Sequence, residues 1–283
     1  AFITGKVGTL FDNNTSDELK LTLMNRFDQT PVLAYEPWSG AYRGKGVINN
    51  AYICEFRNNL IFEVEGLEHV VAGTPVGFLD KLKSEEGLLS GQLDNVLTAA
   101  ILVHLFSLGY QGTAFFTAEE ECGGSWRYLL EWFRRFGNST NELYVLDTSP
   151  YKNREEADKQ HIVLRNRDEH AEFNVETTQA VVQHCTQLNI PFGFKDQYIE
   201  KMNQDSGLTG QKPQGLGRTE LGRITANSQG LVHGTTIQIP TTGYHTMNET
   251  ASLDAVHSFM KLIMKIAKVD NKADSEIDID TKN

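Results

Sequence analysis

Hydrophobic and polar positions follow different periods in different parts of the chain. Apolar residues at helical spacing predict helices in four stretches: VLTAAILVHLFSLGY, SWRYLLEWFRRFG, VETTQAVVQHCTQLN and SLDAVHSFMKLIMKIAKV. Short continuous apolar runs predict buried strands in GTAFFTA, NELYVLDTSP and TTIQIPTT. Because these strands alternate with the helices, we predict an α/β fold with a mostly parallel sheet flanked by helices, over residues 1–29 and 88–268.

The segment between these two parts has a different pattern. Residues 30–87 carry short β-prone runs broken by glycines and show no helical period, which predicts an inserted small all-β domain. Within the first part, residues 1–11 and 19–24 (LKLTLM) have the pattern of two strands joined by DNNTSD. Residues 203–235 contain seven glycines and are predicted to form loops, and residues 269–283 an acidic, solvated tail.

Composition narrows the class of partner. The chain has 283 residues, 40% of them hydrophobic, and a net charge of -11, so neither nucleic acid nor an anionic membrane surface is expected as a partner. No apolar run reaches the roughly 18 residues of a membrane span. Three widely spaced cysteines argue against a disulfide framework and favour a cytoplasmic protein. The sequence opens on AFITGKVGTLF without a methionine, and we expect further residues before it.

Polar residues stand where the predicted strands end. Ligands of open α/β sheets bind beyond the carboxyl ends of the strands. The residues at or near such positions are Asp28, Asp94, Glu119, Glu120, Glu121, Asp147 and His245. Unpaired carboxylates gathered at one edge repel one another, and few Lys or Arg residues stand there to compensate them. Oxygen ligands with an imidazole suit zinc, manganese or cobalt, so the pattern predicts a divalent metal site.

Four motifs together resemble those of dinuclear-metal peptidases: LSGQLDN, FTAEEECGG, VLDTSP and IPTTGYHTMNE. They are most similar to the motifs of the glutamyl and deblocking (tetrahedral) aminopeptidase family, over roughly residues 5–269. The resemblance implies a zinc-peptidase-like α/β domain with an inserted β-barrel-like domain. It also implies a peptide substrate, a zinc cofactor (with cobalt or manganese as alternatives) and a homo-oligomer.

The resemblance assigns roles by matching position. Asp94 matches the carboxylate that bridges the two metals, and Asp147 matches a ligand of one of them. Glu121 and His245 match ligands of the other metal. Glu120 matches the general base that takes a proton from the water on the metal. Adjacent residues suit these last two kinds of role, because one glutamate must contact the metal while its neighbour reaches the water.

This chain departs from the first motif of the family. The family has His-x-Asp, whereas this chain has Arg26-Phe27-Asp28. Asp28 therefore matches an active-site aspartate that orients a preceding histidine, but arginine stays protonated and cannot bind a metal. The following acidic pair is also altered, to Asp94-Asn95. The expected number of ions is therefore one or two.

Three functions stay open at this stage. The first is a metal-dependent aminopeptidase-like hydrolase that removes N-terminal residues from peptides, with Glu120 as general base. The second is a catalytically impaired or inactive relative that acts as a binding or scaffold subunit, because Arg26 replaces the expected histidine. The third is hydrolysis of another amide, such as an acylated amino acid. Fold alone does not decide among them.

Overall fold

The computed structural model describes residues 2–3, 15–54, 56, 59–121, 123–207 and 213–269. Within the molecule, contacts group Ala1–Leu82 with His245–Asn248 as one unit, and Lys83–Tyr244 with Glu249–Asn283 as a second, larger unit. The predicted acidic tail lies, except for Val269, outside the described residues, and so does most of the predicted first strand.

The smaller unit is built on a five-stranded antiparallel sheet with strand order β1-β4-β3-β2-β5. Its elements are β1 (Phe2–Ile3), α1 (Asp17–Asn25), β2 (Pro31–Tyr35), β3 (Tyr42–Cys54), β4 (Asn59–Glu65) and β5 (Val76–Phe78). Alternate residues of the strands enter one core, where Val32, Ile48 and Phe62 are buried. This alternation is the period-2 pattern expected of a sheet with one buried face.

The prediction of a strand over residues 19–24 is wrong, because this segment lies in α1. The Ser16 hydroxyl accepts a hydrogen bond from the Leu19 amide at 3.2 Å and caps the helix. Leu23 of the helix and Phe27 of the turn after it then enter the core of the smaller unit. The described residues before position 30 therefore group with the β sheet, which differs from the predicted assignment of residues 1–29 to the α/β domain.

The larger unit alternates strands with helices. Its elements are β6 (Lys83–Glu85), β7 (Leu88–Gly91), α2 (Val96–Ser107), α3 (Ser125–Arg135), β8 (Thr140–Pro150), α4 (Arg154–Ala157), β9 (Ile162–Leu164), α5 (Val175–Gln187), β10 (Phe192–Phe194), α6 (Lys195–Gly207), α7 (Glu220–Asn227), β11 (Val232–Thr242), β12 (Glu249–Ser252) and α8 (Leu253–Ala267). The four helices predicted from periodicity are present as α2, α3, α5 and α8. The strands predicted in NELYVLDTSP and TTIQIPTT are present as β8 and within β11.

The α/β class is confirmed, and the sheet of the larger unit is mixed. Its strand order is β10-β9-β11-β12-β7-β6, with β8 also pairing with β11. The β10–β9 and β8–β11 pairs are parallel, whereas the other pairs are antiparallel. Two of the antiparallel pairs follow from short connections, because the loops that join β6 to β7 and β11 to β12 are too short for a parallel crossover. Helix α2 packs on β8, and α5, α7 and α8 pack on β11.

Two further predictions for the larger unit are wrong. The GTAFFTA segment forms no strand in the described structure; instead, Phe115 packs against Trp132 and Phe133 of α3, with ring centroids 4.9 and 6.0 Å away. The glycine-rich stretch 203–235 is not all loop, because it contains the end of α6, all of α7 and the start of β11. The Thr219 hydroxyl caps α7 by accepting from the Gly222 amide at 3.1 Å. Because the stretch contains many glycines, its hydrophobic periodicity does not indicate this short helix.

Candidate metal centre

Three of the predicted site residues lie together. The ligand atoms of Asp94, Glu121 and His245 are all within 4.8 Å of one another. Two carboxylate oxygens and one imidazole nitrogen form a donor set that zinc accepts, and manganese and cobalt accept it too. Three protein ligands also leave coordination positions for water or substrate, as in catalytic zinc sites. The residues therefore fit a divalent metal.

A buried glutamate that the sequence analysis did not single out holds Asp94 in place. The Glu249 side chain is 3% exposed, and its Oε2 atom accepts hydrogen bonds from the amides of Leu93 and Asp94, both at 2.8 Å. Outer groups of this kind orient metal ligands. The only sequence signal for Glu249 is its place at the end of the IPTTGYHTMNE motif.

The chain that follows Asp94 is fastened to β8. The Asn95 side-chain amide donates to the Leu146 carbonyl at 2.7 Å, and the Thr98 hydroxyl lies 3.3 Å from the same oxygen. Thr98 also donates to the Asn95 side-chain oxygen. An asparagine can donate to a carbonyl where an ionised aspartate could only repel it. Asn95, the altered member of the acidic pair, thus attaches the start of α2 to β8 beside Asp147.

Glu120 and Glu121 lie in a tight turn that depends on its glycines. The amide of Gly123 donates to the Glu120 carbonyl at 2.6 Å, and that of Gly124 donates to the Glu119 carbonyl at 2.9 Å. Gly123 has a φ of +67°, a conformation that glycine adopts without steric cost. A Cβ at this position would come within 2.2 Å of the Arg223 guanidinium, which therefore lies against the turn.

Arg223 also brings a positive charge close to Glu120. Burial first, and then the Glu121, Glu220 and Asp94 carboxylates, together raise the pKa of Glu120 to about 7, whereas Arg223 opposes them. A general base works best when its pKa is close to the operating pH. Arg223 lies in the stretch that the sequence analysis assigned to loops, so neither it nor Glu220 was identified from the sequence.

Asp147 lies within β8, next to this cluster. Burial raises the pKa of Asp147 well above its usual range, and Asp94 raises it further. Its Oδ1 atom accepts from the Thr148 amide at 2.8 Å, and its Oδ2 atom lies 3.4 Å from the Gln238 side-chain amide. Gln238 in turn accepts from Arg165 at 3.1 Å. Asp147 is not a member of the three-residue group, and its role as a ligand stays a prediction.

His245 lies in the loop that joins β11 to β12. Its φ is +56°, in the left-handed region where histidine is enriched relative to other side chains. The preceding residue, Tyr244, has a raised pKa, because of burial first and then because of Asp94 and Glu121. The Tyr244 phenol therefore stays protonated beside the carboxylates.

Asp28 lies in the smaller unit, in the turn after α1. Its side chain is exposed and lies 3.5 Å from the side-chain amide of Gln29. Arg26 is the C-cap residue of α1 and takes part in none of the four ion pairs among the described residues. The predicted catalytic role of Asp28 stays a prediction.

Lys195 is buried beside Pro150, the last residue of β8. Its side chain is 4% exposed, donates to the Pro150 carbonyl, and lies over the rings of Tyr151 and Tyr198 at 3.7 and 4.8 Å from their centroids. Burial first, and then Arg165, together lower the pKa of Lys195 to about 7, whereas Glu156 opposes them. The residue thus carries a proton less readily in the folded chain than in the unfolded chain.

This lowered pKa predicts a stability that rises with pH. Between pH 7 and the ordinary lysine pKa of about 10.4, the unfolded chain binds more protons at this residue than the folded chain does. The free energy of unfolding of the wild type, relative to Lys195→Met, should therefore increase by up to about 1.4 kcal/mol per pH unit. Urea unfolding of both proteins at several pH values measures this. A difference that does not change with pH would contradict it.

Comparisons with known proteins give a fold and no close relative. No family model matches the chain, and no curated protein matches it. A TET aminopeptidase from a marine-sediment Thaumarchaeota archaeon is 16% identical, with a TM-score of 0.63 over 86% of this chain and 72% of that one. An aminopeptidase from Desulfurococcus kamchatkensis is 14% identical, with a TM-score of 0.61 over 87% and 69%.

A third similar solved structure is that of a peptidase that forms large assemblies. The TET1 peptidase of Pyrococcus horikoshii, which assembles into a tetrahedron or a large octahedral shell, is 15% identical, with a TM-score of 0.59 over 86% of this chain and 73% of that one. At this identity the similarity shows an aminopeptidase-like fold. Among the described residues, no helix has the length and apolarity needed to cross a membrane.

Proposed function

We propose that this chain is a metal-dependent, aminopeptidase-like hydrolase that removes N-terminal residues from peptides. The observation that supports it most is the grouping of Asp94, Glu121 and His245 within 4.8 Å, with Glu120 next to one of the three. The fold shared with solved aminopeptidases is consistent with this proposal. Zinc is the first choice of ion for this donor set, followed by cobalt or manganese.

In the proposed hydrolysis, different residues of the chain have different roles. Asp94, Glu121 and His245 would hold the ion, and Glu249 keeps Asp94 oriented. A divalent cation at this position supplies Lewis-acid polarisation of the scissile carbonyl. Glu120 takes the proton of the attacking water and passes it to the leaving amine, since it adjoins Glu121 and lines the same cavity as Asp94 and Glu121.

We propose one resident ion rather than two. The described residues provide one group of three converging ligands, and Asp147 lies beside it without a histidine partner of its own. The residue that matches the missing ligand is Arg26, whose guanidinium cannot replace an imidazole as a ligand. Asp147 would then act as an additional acceptor near the ion.

A second candidate function rests on Arg26. If the missing histidine abolishes catalysis, the chain is a binding or scaffold subunit that keeps the fold. Assembly into a homo-oligomer and a cytoplasmic location accompany both proposals, the first by analogy with the shells of the TET1 peptidase. Hydrolysis of acylated amino acids is a third candidate, and substrate profiling separates it from the first.

The deciding experiment is metal content together with peptidase activity. We expect about one ion per chain by elemental analysis after dialysis against zinc, and hydrolysis of aminoacyl anilides that a chelator stops and zinc or cobalt restores. Absence of activity with zinc, cobalt and manganese would reject the enzyme proposal. In that case Arg26→His separates a recently lost site, which gains metal and activity, from a remodelled pocket, which gains neither.

A further inference from the structure

A large cavity borders the carboxylate cluster. It has a volume of about 750 Å³ and lies within the larger unit. Asp94, Glu120, Glu121 and Asp147 line one part of it. This volume is within the range of about 300–1,000 Å³ found for small-molecule sites. A substrate residue can therefore enter beside the proposed metal site.

The remainder of the cavity is mostly apolar, and its charged members are Glu142, Glu220 and Lys268. Its walls include Leu102 and Leu105 of α2, Leu146 of β8, and Ile263 and Ile266 of α8. Burying a charged side chain against such walls is unfavourable, whereas burying an aliphatic or aromatic one releases about 25 cal/mol per Å² of apolar surface. The cavity therefore favours one kind of occupant, which is cationic at one end and bulky and apolar beyond it.

Glu220 is a further acid in the wall, and the proposed mechanism does not use it. It is the first residue of α7, where the helix dipole stabilises a negative charge. Its Oε1 atom is buried and has no hydrogen-bond partner, and Glu220 takes part in none of the four ion pairs among the described residues. A buried carboxylate oxygen without a partner is costly unless a donor or a cation reaches it.

We propose that Glu220 binds the α-ammonium of the first substrate residue, and that the apolar part of the cavity receives the side chain of that residue. The inference rests on the proposed function and specifies its substrate class as peptides with a free N-terminus and a large apolar first residue. Acylation of the amine removes the positive charge that Glu220 would bind. The same geometry therefore disfavours acylated amino acids as substrates.

Binding of phenethylamine to the zinc-loaded full chain tests this. The compound carries an ammonium group and an aromatic group but has no scissile bond, so its binding does not depend on catalysis. We expect measurable binding by calorimetry near neutral pH, and at least tenfold weaker binding to Glu220→Gln, as for the loss of a charged hydrogen bond. The affinity for 2-phenylethanol, which lacks the charge, should change less than about twofold, since it keeps only the apolar contacts.

Two more variants complete the design. Glu176→Gln is the matched control, because Glu176 is an exposed acid in the first turn of α5 and is not among the residues that line the cavity. It should bind both compounds like the wild type. Ala99→Leu, which narrows the cavity but keeps every acid, should weaken both compounds, and it tests the apolar part of the site. If Glu220→Gln does not fold, Glu220→Asp replaces it, because it keeps the charge but moves it back, and it should weaken the amine alone.

Two results would overturn the inference. One is the absence of phenethylamine binding to a folded, zinc-loaded wild type. The other is an equal effect of Glu220→Gln and Glu176→Gln on the amine. Failure of the proposed function is distinguishable, because a chain that binds phenethylamine through Glu220 but hydrolyses no anilide has the pocket without the catalysis.

Discussion

Glu120→Gln should lower kcat for an aminoacyl anilide by about 10²–10⁴-fold, the usual contribution of a general base. The substitution keeps the size of the side chain and removes its ability to accept a proton. The metal content should not change, because Glu120 is not one of the three converging ligands. A loss of activity with metal retained is what distinguishes a base from a ligand.

The neighbouring acid provides the control for this prediction. Glu119→Gln makes the same chemical change one residue earlier, at a side chain that accepts a hydrogen bond from Tyr128 at 3.0 Å and is not among the residues that line the cavity. Its kcat should stay within about twofold of the wild type, because substitutions away from the site have small effects. If both variants lose activity equally, the turn as a whole is responsible and the assignment of Glu120 as base is wrong.

His245→Ala should lower zinc affinity by at least about 100-fold, since even outer-shell partners of a metal contribute about 10–100-fold. Competition with a chromogenic chelator measures the dissociation constant directly. His245 supplies the only imidazole of the group, so the remaining pair, Asp94 and Glu121, presents oxygen atoms alone. Hydrolysis at limiting zinc should fall in parallel with the occupancy of the site.

His257→Ala is the matched control for the histidine variant. His257 lies on α8 with an exposed side chain and is not one of the three grouped residues. Its zinc affinity should equal that of the wild type. If His245→Ala also binds zinc like the wild type, the ion is held elsewhere and the proposed centre must be abandoned.

Together, the Glu120 and phenethylamine experiments separate the candidate functions. Hydrolysis that depends on Glu120, with amine binding that depends on Glu220, describes an aminopeptidase with an apolar first subsite. Amine binding without hydrolysis describes a binding subunit, as Arg26 would imply. Hydrolysis of acylated substrates that is insensitive to Glu220→Gln describes another amidohydrolase. With hydrolysis of acylated substrates as a third measurement, these results distinguish the three functions.

The main elements of the larger unit were predictable because their signals are local. In α3, Leu129, Leu130 and Phe133 recur at helical spacing and are buried. The errors arose where local signals conflict. LKLTLM alternates like a strand, yet the Ser16 cap and the contacts of Leu23 in the core make it helical. GTAFFTA is apolar like a strand, yet Phe115 packs on α3 instead.

By itself, the sequence determined the α/β class, the positions of most long helices and strands, and a set of acids with one histidine near strand ends. These follow from periodicity and from residue chemistry, which depend on neighbours in the chain. Only the tertiary structure decided which of those groups meet, namely Asp94, Glu121 and His245. It also revealed Glu249 beneath Asp94, and Arg223 and Glu220 beside the acidic turn. Such contacts join residues up to about 150 positions apart, and no local pattern encodes a distance in space.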